Sequence, residues 1–184
     1  MSLVLGYVDA KNAIIMSDGR AGENGCYSEH YNKTVKINDN IIIGFAGILE
    51  PIEFFLEHVL SQMGNDRSSY YIEDFLYMIN FFMNDKETQE NLKSDFIIIG
   101  RTENGQMISA IVGDSTNYQI EQNLVTSPRI LLIGGTIAVS VLSKIYKENI
   151  SNHDMSIENC MIKTIRDAAV LDSSINGNTF GQMI

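Results

Sequence analysis

Several side chains able to do chemistry fall where short apolar runs end. The run Ala13-Ile14-Ile15-Met16 leads into Ser17-Asp18-Gly19-Arg20, placing a carboxylate and a guanidinium just past a buried strand, where working groups are commonly presented. An Asp and an Arg so placed can equally form an ion pair or a turn, and taken alone the structural role suffices. Position in the chain adds further groups. Ser2 opens the first apolar run, Lys33 enters a later hairpin, and Gly44-Phe45-Ala46-Gly47 closes that hairpin where a helix begins. Other residues carry less. His30, His58 and His153 are too scattered for a metal site, and His58 falls on the polar side of a helical stripe. Cys26 and Cys160 have neither CxxC nor Cys/His ligand spacing and read as reduced thiols. Gly134-Gly135 lies between a strand and a helix, but GxGxxG and Gly-Lys-Ser/Thr are both absent, so a tight turn accounts for the pair. No metal and no cofactor are expected.

The elements that must position these groups follow from periodicity. Leu3 to Val8 and Ala13 to Met16 form a first hairpin across Asp9-Ala10-Lys11-Asn12. Val35 and Ile37, the turn Asn38-Asp39-Asn40, and Ile41 to Phe45 form a second. Between Ile48 and Met63 the apolar positions follow the i, i+3, i+4, i+7 stripe of an amphipathic helix, with Pro51 suited to its first turn. Ile72, Phe75, Leu76, Ile79, Phe82 and Met83 repeat the stripe up to the polar Asn84-Asp85-Lys86. Phe96 to Ile99 and Met107 to Val112 flank Asn104-Gly105, a turn signal, and Arg129 to Ile133 is another buried strand. Ala138, Val141, Leu142 and Ile145 mark a third helix, Ile157, Met161, Ile162, Ile165 and Ala169 a fourth, and a final strand runs from Asn178 to Ile184. Hairpins, two helices, hairpins, two helices and a strand do not make the alternation of a doubly wound parallel sheet. The order predicts an α+β fold in which two antiparallel sheets are sandwiched between two helix layers.

Composition bounds the rest. With 184 residues, 45% of them apolar, the chain has material for one core and is read as a single domain over 1–184. Thirteen Lys and Arg against 23 Asp and Glu leave a net charge of −10, which repels a phosphate backbone and disfavours nucleic acid. No apolar run approaches the ~18 residues of a membrane span. Met1-Ser2-Leu3-Val4-Leu5 lacks the features of a secretory signal, so a cytoplasmic protein is expected.

Taken in order, the motifs resemble the proteasome β-subunit family and its simpler bacterial ATP-dependent relatives, all N-terminal-nucleophile (Ntn) hydrolases. The likeness runs from Ser2 to the C-terminus. It rests on Gly6, on Asp18-Gly19-Arg20-Ala21, on Lys33 to Ile37, and on Gly44-Phe45-Ala46-Gly47 entering a helix. It continues through Asp95-Phe96-Ile97-Ile98-Ile99-Gly100, Leu132-Ile133-Gly134-Gly135, and Asp172-Ser173-Ser174 ahead of the closing strand. The family's four-layer αββα sandwich agrees with the element order.

What the resemblance implies is a peptidase working through an acyl-enzyme. Removal of Met1 leaves Ser2 with a hydroxyl nucleophile and a free α-amine, whose reference pKa of ~7.7 to 8.0 lets the residue act as its own base. Lys33 would favour the alkoxide and lower the amine pKa, Asp18 would orient Lys33, and the Gly47 N–H would receive the oxyanion. Asp172 matches the family's late Asp, with Asp167 as runner-up, and Phe45 and Leu49 would line the substrate pocket. Self-association into a dimer or ring, a peptide substrate and an ATP-dependent unfoldase partner are implied in the same way.

The pattern departs from the family at three points. The nucleophile is Ser rather than Thr. Gly135 and Ile175 stand where supporting serines are common, leaving Thr136 or Ser173 as substitutes. Met-Ser-Leu is also a leader of the kind left on recombinant chains. Two alternatives therefore stand beside the peptidase: a catalytically silent subunit that keeps the sandwich for assembly, and an N-terminal amidase acting on small molecules.

Overall fold

The computed structural model describes residues 2–23, 26–64, 66–135, 137, 139–151 and 154–184. Met1, Thr136, Ala138 and His153, named above, lie outside the described residues. In chain order the elements are β1 (Leu3–Val8), β2 (Ala13–Asp18), β3 (Ala21–Glu23), β4 (Cys26–Ser28), β5 (Thr34–Lys36) and β6 (Ile41–Gly47). There follow α1 (Leu49–Met63), α2 (Ile72–Met83), α3 (Lys86–Asn91), β7 (Ser94–Arg101), β8 (Met107–Gly113), β9 (Glu121–Leu124) and β10 (Arg129–Gly134). The chain closes with α4 (Val139–Ile150), α5 (Ile157–Leu171) and β11 (Thr179–Met183).

Alternation along the central strands sorts side chains into three apolar layers. In β1, Leu3, Leu5 and Tyr7 meet α4 and α5, while Val4 and Val8 face the other way, into the space between the sheets. In β6, Ile41, Ile43 and Phe45 meet α1 and α2, while Ile42 and Ala46 enter the inter-sheet layer from the opposite side. Strands covered on both faces read as continuous apolar runs, which is why these segments stand out in the sequence. One sheet has the order β10-β1-β2-β11 and the other β5-β6-β7-β8-β9, each pairing antiparallel. The architecture is the αββα sandwich, an α+β fold. At Gly44 the sheets are so close that a Cβ would stand 2.6 Å from both Ile15 Cγ2 and Val4 Cγ1.

Elements with no apolar period are the ones the sequence does not announce. The strand β9, Glu-Gln-Asn-Leu, is exposed at all four positions and exists because β8 offers it a free edge. The short helix α3 buries no residue and begins where Asp85 Oδ2 accepts from the Thr88 N–H. A small hairpin, β3 with β4, adds a two-stranded ribbon. Between α4 and α5, the buried Asn149 amide donates to Thr164 Oγ1 and Asp167 Oδ2, each at 3.1 Å.

Candidate active site

Asp18 ends β2 and Lys33 precedes β5, so the two come from different sheets and meet between them. Both side chains are completely buried, and Lys33 Nζ stands 2.7 Å from Asp18 Oδ1. The ammonium also donates to the Asp18 carbonyl at 3.0 Å. The carboxylate is saturated by further donors: the Leu3 N–H reaches Oδ1 at 2.8 Å and the Arg20 N–H reaches Oδ2 at 3.0 Å. Burial pushes the Lys33 pKa below the ordinary lysine value, and the Asp18 charge and hydrogen bond oppose that shift. A buried ion pair whose carboxylate also grips the N–H of the first β1 residue therefore stands beside the start of that strand.

Strand register carries Ser2 to the same place. Val4 pairs with Ser17, so Leu3 lies opposite Asp18 and Ser2 stands one residue beyond. Ser2 is buried, and its carbonyl accepts from the Gly135 N–H at 2.7 Å. Gly134 pairs with Leu3 at φ +79°, and a Cβ there would overlap the Ser2 carbonyl oxygen and stand 3.0 Å from Ala46 Cβ. Gly134 is thus the last residue of β10 rather than part of a turn, and its missing Cβ leaves room for the Ser2 carbonyl and for Ala46 of β6.

Gly47 follows directly after Ala46, at φ +145°, where a Cβ would overlap Ser94 Oγ. It is exposed and immediately precedes Ile48, the N-cap of α1, whose side chain makes no capping bond. Its backbone therefore sits at the positive end of a 15-residue helix. Lys33 and Phe45 are paired across strands, the Phe45 N–H donating to the Lys33 carbonyl at 3.1 Å. Phe45 itself is buried in the layer beneath α1 and α2, and Leu49 is half-buried against that layer.

Asp172 is buried at the end of α5 and accepts from the Ser174 N–H at 2.8 Å, turning the loop toward β11. That loop is stitched to the Asp18 turn. Arg20 Nη1 donates to the Ser173 carbonyl, and Asn176 Oδ1 accepts from the Gly19 N–H at 2.8 Å. Glu29 joins the network, accepting from Arg20 Nε at 3.0 Å and from Asn176 Nδ2 at 2.5 Å. Those two hydrogen bonds, Asn176 first, hold the Glu29 carboxyl below its ordinary range. Asp167, by contrast, faces α4 through Asn149 and takes a 2.5 Å ion pair from Lys163. Glu29 and Asn176 were not legible as site residues, because neither lies in a motif and only the fold brings them together.

Among the described residues no group of three or more His, Cys, Asp or Glu could hold a metal ion, and no helix is long and apolar enough to cross a membrane. Cys160 is a buried free thiol whose pKa is raised by burial. A groove of about 990 Å³ lies away from the Asp18–Lys33 pair, on the outer face of α1 and α2, where Phe54, Tyr77 and Phe81 are largely exposed.

The architecture has a solved counterpart. The crystal structure of eukaryotic HslV from Trypanosoma brucei superposes with a TM-score of 0.69 over 98% of this chain and 98% of that one. The chain shares the fold of that HslV. At 16% identity the likeness is one of fold. No family model matches the sequence, and no curated protein matches it.

Proposed function

We propose that the chain is a proteasome-like Ntn peptidase with Ser2 as nucleophile. The observation that carries this reading is the fully buried Asp18–Lys33 pair, whose carboxylate also holds the N–H of Leu3, the residue joined to Ser2. With Met1 removed, the Ser2 α-amine takes the proton of its own hydroxyl, and Oγ adds to the carbonyl carbon of a peptide. Lys33 lowers the amine pKa and favours the developing alkoxide, while the Gly47 N–H at the head of α1 receives the oxyanion. The protonated amine passes its proton to the leaving amine as the C–N bond breaks. Water, deprotonated by the same amine, then hydrolyses the ester on Ser2. Phe45 and Leu49 line the pocket, and Asp172 shapes the loop beside the amine.

The HslV-like fold supports the further reading that copies associate, and the exposed Phe54, Tyr77 and Phe81 supply an apolar face for it. A cytoplasmic setting and an ATP-driven unfoldase partner belong to the same proposal. One feature favours a silent subunit instead: Gly135 and Ile175 stand where the family resemblance implies supporting serines. Intact mass after treatment with a β-lactone inhibitor separates the two. The peptidase loses Met1 and gains one adduct on Ser2, and Lys33→Ala abolishes both the adduct and hydrolysis of short fluorogenic peptides. Unchanged turnover in Lys33→Ala would refute the assigned chemistry, and a wild-type chain that takes no adduct would favour the silent subunit.

A further inference from the structure

We propose that Asn176, clamped by Glu29, is a positioning residue that holds the Asp18–Lys33 pair in register and dry; the catalytic consequence rests on the peptidase reading, the clamp itself does not. Gly19 is the only residue between Asp18 and Arg20, and both of its peptide groups are tied down. Its N–H donates to Asn176 Oδ1 at 2.8 Å, and its carbonyl accepts from the Tyr31 N–H at 2.9 Å. The donor at Gly19 fixes which end of the amide is oxygen, so the Asn176 NH2 group faces Glu29. There it donates to the Glu29 carbonyl at 3.0 Å and to Oε2 at 2.5 Å. The other carboxylate oxygen takes Arg20 Nε, and Arg20 reaches on to the Ser173 carbonyl. Asn178 Nδ2 gives the Glu29 carbonyl a second donor at 2.8 Å.

The space is closed to anything larger than glycine: a Cβ on Gly19 would stand 2.6 Å from the Glu29 carbonyl and 2.9 Å from Phe180 Cε2. Asn176 is itself buried, although it belongs to a loop. A buried loop amide with every donor and acceptor used, gripping the peptide next to a buried ion pair, is a supporting shell rather than a surface contact. Its side chain bonds Gly19 and Glu29, so its effect runs through Asp18.

Complementarity supplies the test. In Asn176→Asp the acceptor for Gly19 survives, but two carboxylates face each other at positions 29 and 176. In Glu29→Gln one of the two carboxylate oxygens becomes an NH2 group, so either the Asn176 amide or Arg20 faces a donor in place of its acceptor. In the double variant, Glu29→Gln with Asn176→Asp, the amide introduced at position 29 donates to the carboxylate introduced at position 176, while the amide oxygen still serves Arg20; the Glu29 main-chain carbonyl loses its Asn176 donor and keeps the one from Asn178. Acylation of Ser2 by a β-lactone, followed by intact mass at a temperature where all variants are folded, is expected to slow by about 10²-fold in each single variant and to recover by about tenfold in the double. Lys33 labelling by an amine reagent, read by peptide mass, needs no activity: each single variant is expected to label at least tenfold faster than wild type, and the double to label more slowly than either single. Singles that acylate and label at the wild-type rate, or a double no better than the worse single, overturn the clamp. A wild type that takes no adduct counts against the peptidase alone, and Lys33 labelling then decides the clamp.

Discussion

Asp18→Ala strands a charge. Lys33 has no exposed side-chain surface and its ammonium has two acceptors, both on Asp18, so the variant removes the neutralising partner and leaves the desolvation. Breaking a fully buried pair from one side costs about 3–5 kcal/mol, against a typical domain stability of about 5–15 kcal/mol. Because neither partner is exposed, no discount for solvent screening applies. The double variant Asp18→Ala/Lys33→Met removes the stranded charge while keeping an apolar stem. It still leaves the Leu3 and Arg20 N–H groups without their carboxylate, at about 1–3 kcal/mol each. The double is therefore expected to be less stable than wild type yet about 2 kcal/mol more stable than the single variant. Urea unfolding followed by circular dichroism measures all three. The sign with pH is fixed too. Burial lowers the folded-state pKa of Lys33, and removing Asp18 removes the opposing contribution, so the unfolded chain binds the extra proton until about pH 10.4. The stability of Asp18→Ala thus rises with pH, up to about 10.4, more steeply than that of wild type. A single variant as stable as the double, or a cost below about 1 kcal/mol, would show that the pair is not the closed electrostatic unit described.

Other substitutions probe the surroundings. Gly134→Ala sets a Cβ against the Ser2 carbonyl at positive φ, and is expected to displace Ser2 and cut peptide turnover by about 10²-fold while far-ultraviolet dichroism stays unchanged. Tyr146→Phe removes the buried hydrogen bond from the tyrosine hydroxyl to the Gly6 carbonyl, which lies in a strand paired on both sides; thermal unfolding is expected to register a loss of about 0.5–1.5 kcal/mol. Phe81→Glu adds a charge to the aromatic face of α1 and α2, and sedimentation velocity is expected to show a smaller species than wild type; identical profiles would remove that face from any assembly.

Legibility followed burial. Helices α1 and α2 declared themselves because their buried residues, Ile52, Phe55, Leu56 and Val59 in one and Ile72, Phe75, Leu76 and Ile79 in the other, recur at helical spacing. Strand β9 and helix α3 did not, since neither has a buried side chain to leave a pattern. Asp18 stands out by its place just past a buried strand, but its pairing with Lys33 follows only from likeness to a family, since by composition alone two charged residues 15 apart read as surface. Phe45 was legible as buried, but its layer, beneath α1 and α2, emerged only from the register of β6.

Apolar patterning within each segment settled which elements are helices and which are buried strands, because each records in its own residues how much of its surface water never reaches. Which ends of those layers meet was decided by pairing across the chain, and with it the placing of Lys33 against Asp18 and of Asn176 against Gly19, 157 residues away. A buried charge or amide is tolerable only beside its complement, and that complement lies too far along the chain for any local pattern to name it.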